Sequence, residues 1–147
     1  MNKIWIVIAA GLVAGSGAVL ADELISQEEA RLPPGHHKAM VLRAITRGPG
    51  IQLVSPGADG ATVHSPFDLR VEFSPRGTAK IDLDSIKLLY DRNPPVNLIE
   101  RVRSGLSASG IVVTAAQAPP GKHSLVVSVG DNEGRSTTRV FELTVLP

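Results

Sequence analysis

Four apolar residues, Phe67, Leu69, Val71 and Phe73, alternate with three charged ones, Asp68, Arg70 and Glu72. Successive side chains of an extended chain point to opposite faces, so the apolar groups share one side and the charges the other. A chain built this way must cover one face of a sheet and wet the other. The same period of two recurs at Leu125, Val127 and Val129, at Phe141, Leu143 and Val145, and at Ile86, Leu88 and Tyr90. Shorter instances are Ile51 with Leu53 and Ile111 with Val113. Leu89, Val112 and Val126 stand at the opposite parity, which leaves room for an apolar strip on the outside.

The connectors agree with this reading. Ser55-Pro56-Gly57, Ser74-Pro75-Arg76-Gly77, Asn93-Pro94-Pro95 and Pro119-Pro120-Gly121 have the residues of turns, and Asp131-Asn132-Glu133-Gly134 those of a tight hairpin. Residues 98–105 fit a single helical turn bridging two sheets. No long helical pattern separates the strands, which argues against a parallel sheet wound with helices. About seven short strands in roughly 100 residues predict an all-β fold, an antiparallel β-sandwich over 48–147.

The segment before it differs in texture. Met1-Asn2-Lys3 gives a positive start, Ile4 to Leu20 carries no charge, and Ala18-Val19-Leu20-Ala21 ends in small residues. This is the anatomy of a signal peptide over 1–21, cleaved after Ala21. Gly11, Gly15 and Gly17 interrupt the run, which is short for a membrane span of ~20 residues. Export places the chain in a bacterial periplasm or outside the cell. Residues 22–47 form a polar extension, flexible or partly helical. Within it Ser26-Gln27-Glu28-Glu29 reads as a helix cap with acidic residues in the first turn, and Pro33-Pro34-Gly35 stops the helix. With no sustained apolar period, this extension is expected to bury little surface and to be dispensable for folding.

Composition narrows the function. Removing 21 of the 147 residues takes away Lys3 alone among the charges, and leaves 14 basic and 14 acidic residues. A neutral chain lacks the basic excess that nucleic-acid binding draws on. There is no Cys, so an exported domain must hold by packing without disulfides, and no thiol is available as a nucleophile or lipid anchor. Gly105-Leu106-Ser107-Ala108-Ser109-Gly110 comes near a nucleophile elbow but follows no suitable strand. No catalytic residue and no cofactor is assigned. Phe67, Phe73, Tyr90 and Phe141 share the inward parity, which leaves no spare ring for a sugar platform. Metal candidates are His36, His37 and Met40, because imidazole and thioether suit copper. Asp82, Asp84, Asp131 and Glu133 offer oxygen ligands but no calcium-binding loop.

Several short stretches carry a family likeness: Ser55-Pro56, Val63-His64-Ser65-Pro66 ahead of Phe67, Ile81-Asp82, Ser85-Ile86, Pro120-Gly121-Lys122-His123-Ser124-Leu125 and Asp131-Asn132-Glu133-Gly134. Over about 51–145 the sequence resembles the bacterial immunoglobulin-like domains of exported proteins. That resemblance implies a sandwich in which His123 stands where relatives have a corner tyrosine. Phe73-Ser74, after a Pro- and Gly-rich segment, is similar to the periplasmic copper-resistance sandwiches. In that family a mature N-terminal histidine and an Asp-x-His motif bind copper(II), whereas this chain has Asp22 and Asp131-Asn132-Glu133 there. The likeness therefore implies the scaffold without its metal ligands. The expected function is recognition of another periplasmic protein, as an accessory subunit, with no enzymatic step, no nucleic acid and no membrane contact after cleavage. The alternative is copper binding at a non-standard site. Mass spectrometry of the exported protein should find Asp22 as its first residue, and an intact Met1 in a membrane fraction would contradict cleavage.

Overall fold

The computed structural model describes residues 23–37, 47–57 and 60–147. The proposed signal peptide and Met40 lie outside them. Among the described residues nine strands form two sheets: β1 (Gly50–Ser55), β2 (Ala61–His64), β3 (Phe67–Ser74), β4 (Ile81–Tyr90), β5 (Val96–Asn97), β6 (Leu106–Ser107), β7 (Gly110–Ala116), β8 (Gly121–Asp131) and β9 (Ser136–Leu146). One sheet has the order β1-β3-β7-β6 and the other β2-β9-β8-β4-β5. The expected all-β sandwich is therefore present. That is two more than the expected seven or so, and the short strands β2, β5 and β6 match none of the alternations read from the sequence. Pairing is antiparallel except between β2 and β9, which run parallel.

Alternation dictates the core. Along β3, Phe67, Leu69, Val71 and Phe73 are buried, Asp68 and Arg70 are exposed, and Glu72 is half-exposed and paired with Arg70 at 3.0 Å. From the facing sheet come Ile86, Leu88 and Tyr90 on β4, Leu125, Val127 and Val129 on β8, and Phe141, Leu143 and Val145 on β9. Fully burying a side chain of this size is worth about 1.5–3 kcal/mol, so two interdigitating rows suffice without a disulfide. Arg139 adds a staple between the layers. It lies over the Phe141 ring at 5.2 Å and donates through Nη1 to the Ile51 carbonyl of β1 at 2.8 Å.

Local chemistry sets the corners. Ile99–Val102 forms the short helix α2, and a 3-10 turn at Arg103–Gly105 carries the chain from β5 to β6, bridging the sheets as expected. The β8–β9 hairpin is built on Asp131, whose Oδ1 accepts the backbone N–H groups of Glu133 and Arg135 and whose Oδ2 accepts Arg135 Nε, all at 3.0 Å. Burial pushes the Asp131 carboxyl up, but these donors outweigh it and hold it below its ordinary value. At the head of β7 only glycine fits, since a Cβ on Gly110 would sit 1.9 Å from the Val71 carbonyl oxygen.

The N-terminal segment departs from its expectation. A helix α1 (Gln27–Ala30) does form behind Ser26, with a reciprocal capping box to Glu29. Yet Leu24 and Ile25, at 1% and 2% exposure, belong to the core, and their N–H groups donate to the Gln117 carbonyl at 2.9 and 3.2 Å. Residues 23–37 are a strap packed on the sandwich, so the expectation of little buried surface does not hold for them. Two adjacent apolar residues in a polar run have no period, which is why the pattern missed them. Emptying one buried aliphatic site costs ~2–5 kcal/mol. A chain starting at Gly48 should therefore lose at least about 4 kcal/mol in chemical denaturation. A loss below about 1 kcal/mol would show that the strap is only resting on the surface.

Candidate functional site

The histidines and the longest polar network gather at the end of the sandwich where β4 stops and β8 begins. Tyr90 closes β4 facing inward, and its cross-strand partner on β8 is Leu125. His123 lies two residues before Leu125 and so points to the same face. The two rings meet at a centroid distance of 5.6 Å, and Tyr90 Oη is 2.8 Å from His123 Nδ1. The other ring nitrogen, Nε2, is 2.6 Å from the Pro119 carbonyl oxygen.

These contacts assign the protons. A carbonyl only accepts, so Nε2 carries hydrogen and donates to Pro119. Nδ1 of the neutral ring then accepts from the Tyr90 hydroxyl. The Tyr90 oxygen in turn accepts from Arg92 Nη2 at 2.6 Å, and Arg92 Nη1 donates to the Leu32 carbonyl of the strap at 3.3 Å. The Arg92 guanidinium also sits 4.7 Å from the Tyr90 ring centroid, a cation over an aromatic face. His123 is 2% exposed. Its burial, and secondarily the positive charge of Arg92, holds the imidazole below its ordinary value despite the Pro119 contact. Burial likewise pushes the Tyr90 hydroxyl up, against the pull of Arg92.

Around this chain the strap is tied twice more. Glu29 takes a two-pronged bond from Arg101 of α2, at 2.5 and 2.8 Å, and Arg101 Nη1 also reaches the Leu24 carbonyl at 2.8 Å. The Arg101 bond, together with the Ser26 cap, draws the Glu29 carboxyl down to about 2 against its partial burial. Near the strap's end His37 Nδ1 stands 2.9 Å from Asp91 Oδ1, with Asp91 buried and the His37 ring partly exposed. Pro34, Gly35, Asp91, Arg92, Lys122, Ser124 and Glu142 line a hollow of about 300 Å³ beside it.

The candidates taken from the sequence separate here. His37 is bound to Asp91, its neighbour His36 is exposed, and Met40 falls outside the described residues. Among the described residues no three His, Cys, Asp or Glu side chains converge as a metal cluster. Asp82 Oδ1 accepts the Asp84 N–H at 3.1 Å within their own turn, and Asp131 with Glu133 is bound to Arg135. The stretch from Gly105 to Gly110 is the β6–β7 hairpin. His123, expected at a corner, is in one. Arg92 was missed; only its place two residues beyond Tyr90, on the same face, pointed to it.

No family model matches the chain, and no curated protein does. Among solved structures it is similar to CopC from Methylosinus trichosporium OB3b, with a TM-score of 0.44 and 15% identity over 67% of this chain and 95% of that one. It is also similar to the crystal structure of an engineered protein, with a TM-score of 0.44 and 16% identity over 71% of this chain. There it spans only 21% of the engineered protein's length. At that level of similarity no chemistry passes from either protein to this one. Among the described residues no helix is long and apolar enough to cross a membrane.

A ligand that binds only the native state must raise its stability. Titrating copper(II) or zinc into the purified protein should leave its melting temperature unchanged. A stabilising shift that saturates at one metal per chain, and is lost in His37→Ala, would establish His37 and Asp91 as part of a metal site.

Proposed function

We infer that this chain is an exported, non-enzymatic module of immunoglobulin type that recognises another periplasmic protein. The strand order supports the type. β1-β3-β7-β6 opposite β2-β9-β8-β4-β5 corresponds to the immunoglobulin arrangement ABED facing GFC, with one extra strand at each edge of the second sheet. The polar groups most suggestive of catalysis are spent on structure: both nitrogens of His123, the Tyr90 hydroxyl and the Asp131 carboxylate all hold the fold together.

The observation that carries the recognition reading is the edge of β4, which stands open among the described residues. Six of its ten residues pair with β8 on one side, and among the described residues β5 covers only Leu89 and Tyr90 on the other. A bulge between Asp82 and Lys87 bends this edge, which blunts open-ended strand pairing. The same bend leaves Leu83 49% exposed, flanked by Asp82 and Asp84. Leu83, Ile86, Ile99 and Leu106 line a hollow of about 320 Å³ whose rim carries Asp84 and Arg103. An apolar hollow with a charged rim, beside unpaired backbone groups, suits a partner that inserts one apolar side chain and adds main-chain bonds alongside.

A photo-crosslinking amino acid at Leu83 tests this in the exporting cells, with the same probe at exposed Thr114 on the opposite sheet as reference. A discrete adduct from position 83 alone, lost on Leu106→Asp, is expected. No adduct, or equal labelling from both positions, would overturn the reading.

A further inference from the structure

The strap is fastened at both ends to residues that flank one buried histidine. At its start Leu24 and Ile25 donate to Gln117, two residues before Pro119. At its far end the Pro33 carbonyl accepts the Asn93 N–H at 2.9 Å, Gly35 N–H donates to the Asp91 carbonyl at 3.2 Å, and Arg92 holds Leu32. Arg92 stands two residues after Tyr90. One line of hydrogen bonds thus runs from the Leu32 carbonyl through Arg92, Tyr90 and His123 to the Pro119 carbonyl.

Arg92 donates to both sides, and from Arg92 through Tyr90 and His123 to Pro119 donation runs one way, so a proton on His123 Nδ1 breaks it. Nδ1 would become a donor, the Tyr90 hydroxyl hydrogen would lose its acceptor, and a second cation would face Arg92 in a buried place. An unmatched buried donor and an unpaired buried charge are both costly. We propose that His123 is a proton-sensitive pin for the strap, so that acid frees residues 32–37 from the end of β4 while the two sheets stay folded.

Other charges surround the pin without replacing it. Tyr90 and Arg92 face His123 from β4, and Arg92 is the charge that opposes a further proton. Glu29 lies across the strap with its charge taken up by Arg101, while Glu23 acts on Arg101 from farther off. Asp91 points to the other side of β4 with His37, beside Lys122 of β8 and Glu142 of β9. His37 thus ties the strap's end to Asp91 without touching the line through His123.

The sign follows from which state takes up protons. Fastened, His123 titrates below its ordinary value of 6.5, chiefly through burial; with the strap lifted and water admitted to this end, it returns toward 6.5. The open strap therefore binds more protons, and the fastening is at full strength above that value and weakens as pH falls through it. At pH 5 the opening constant can rise by up to about 30-fold over its value at pH 7.5, given an ordinary histidine in the open state.

Hydrogen exchange of the full mature protein, read by mass spectrometry over residues 26–37 and corrected for intrinsic rates, measures this opening at the two pH values. The wild type should open more at pH 5, with β8 and β9 still protected. His123→Gln keeps a donor and an acceptor but cannot titrate, so its strap should respond little to pH. His37→Gln should keep the response. Tyr90→Phe should open the strap more than in the wild type already at pH 7.5, with the sheets intact, which serves if His123→Gln fails to fold. The proposal is overturned if the wild type exchanges equally at both values, if His123→Gln retains the full rise, if His37→Gln abolishes it, or if Tyr90→Phe leaves the strap unchanged.

Discussion

A buried histidine with both nitrogens committed closes one end of this sandwich, and the N-terminal strap, the β4 terminus and the start of β8 all depend on it. Burying an imidazole, a phenol and part of a guanidinium together is tolerable only when their hydrogen-bonding groups find partners. Here Pro119, His123, Tyr90, Arg92 and Leu32 satisfy one another in sequence. The match is incomplete in one place, because Arg92 Nε is buried with no partner among the described residues. An unsatisfied group of that kind costs about 1–3 kcal/mol, so this end of the molecule is held less securely than the apolar interior between the sheets.

The apolar interior is the part most legible in the sequence. A period of two decides which face is buried; β3 follows it residue by residue and β9 does so from Phe141 onward, while β8 also buries Val126 and Gly130 at the other parity. The short strands β5 and β6, two residues each, cannot display a period, and β2 enters the fold by pairing with a strand some eighty positions away. The outward strip dissolves into separate features. Leu89 and Val126 are cross-strand partners on one sheet, with Val126 only 3% exposed, while Val112 lies on the other sheet at 50%. Parity gives the direction of a side chain; what lies over it comes from tertiary placement.

The strap shows where pattern reading stops. Ser26 and Glu29 announce a helix, and that helix is present, but Leu24 and Ile25 are buried because Gln117 and Arg101 hold their backbone from far along the chain. The polar network was half visible. His123 stood at a recognisable corner and Tyr90 at inward parity, yet their contact depends on the β4–β8 register that pairs Tyr90 with Leu125. Arg92, which no sequence pattern singled out, joins them because the chain keeps Tyr90's facing two residues further on. His36 and His37 part for a related reason: they are adjacent, and a backbone that turns one toward Asp91 leaves the other in solvent.

The account stands on the protonation of one ring. Long-range nitrogen–proton correlation NMR of the mature protein, labelled with nitrogen-15 and read at neutral pH, reports the state of each imidazole nitrogen directly. For His123 the expected spectrum is that of a neutral ring with hydrogen on Nε2 and a bare, hydrogen-bonded Nδ1. A doubly protonated ring, or one carrying its hydrogen on Nδ1, would contradict the bonding that ties the strap to the sandwich.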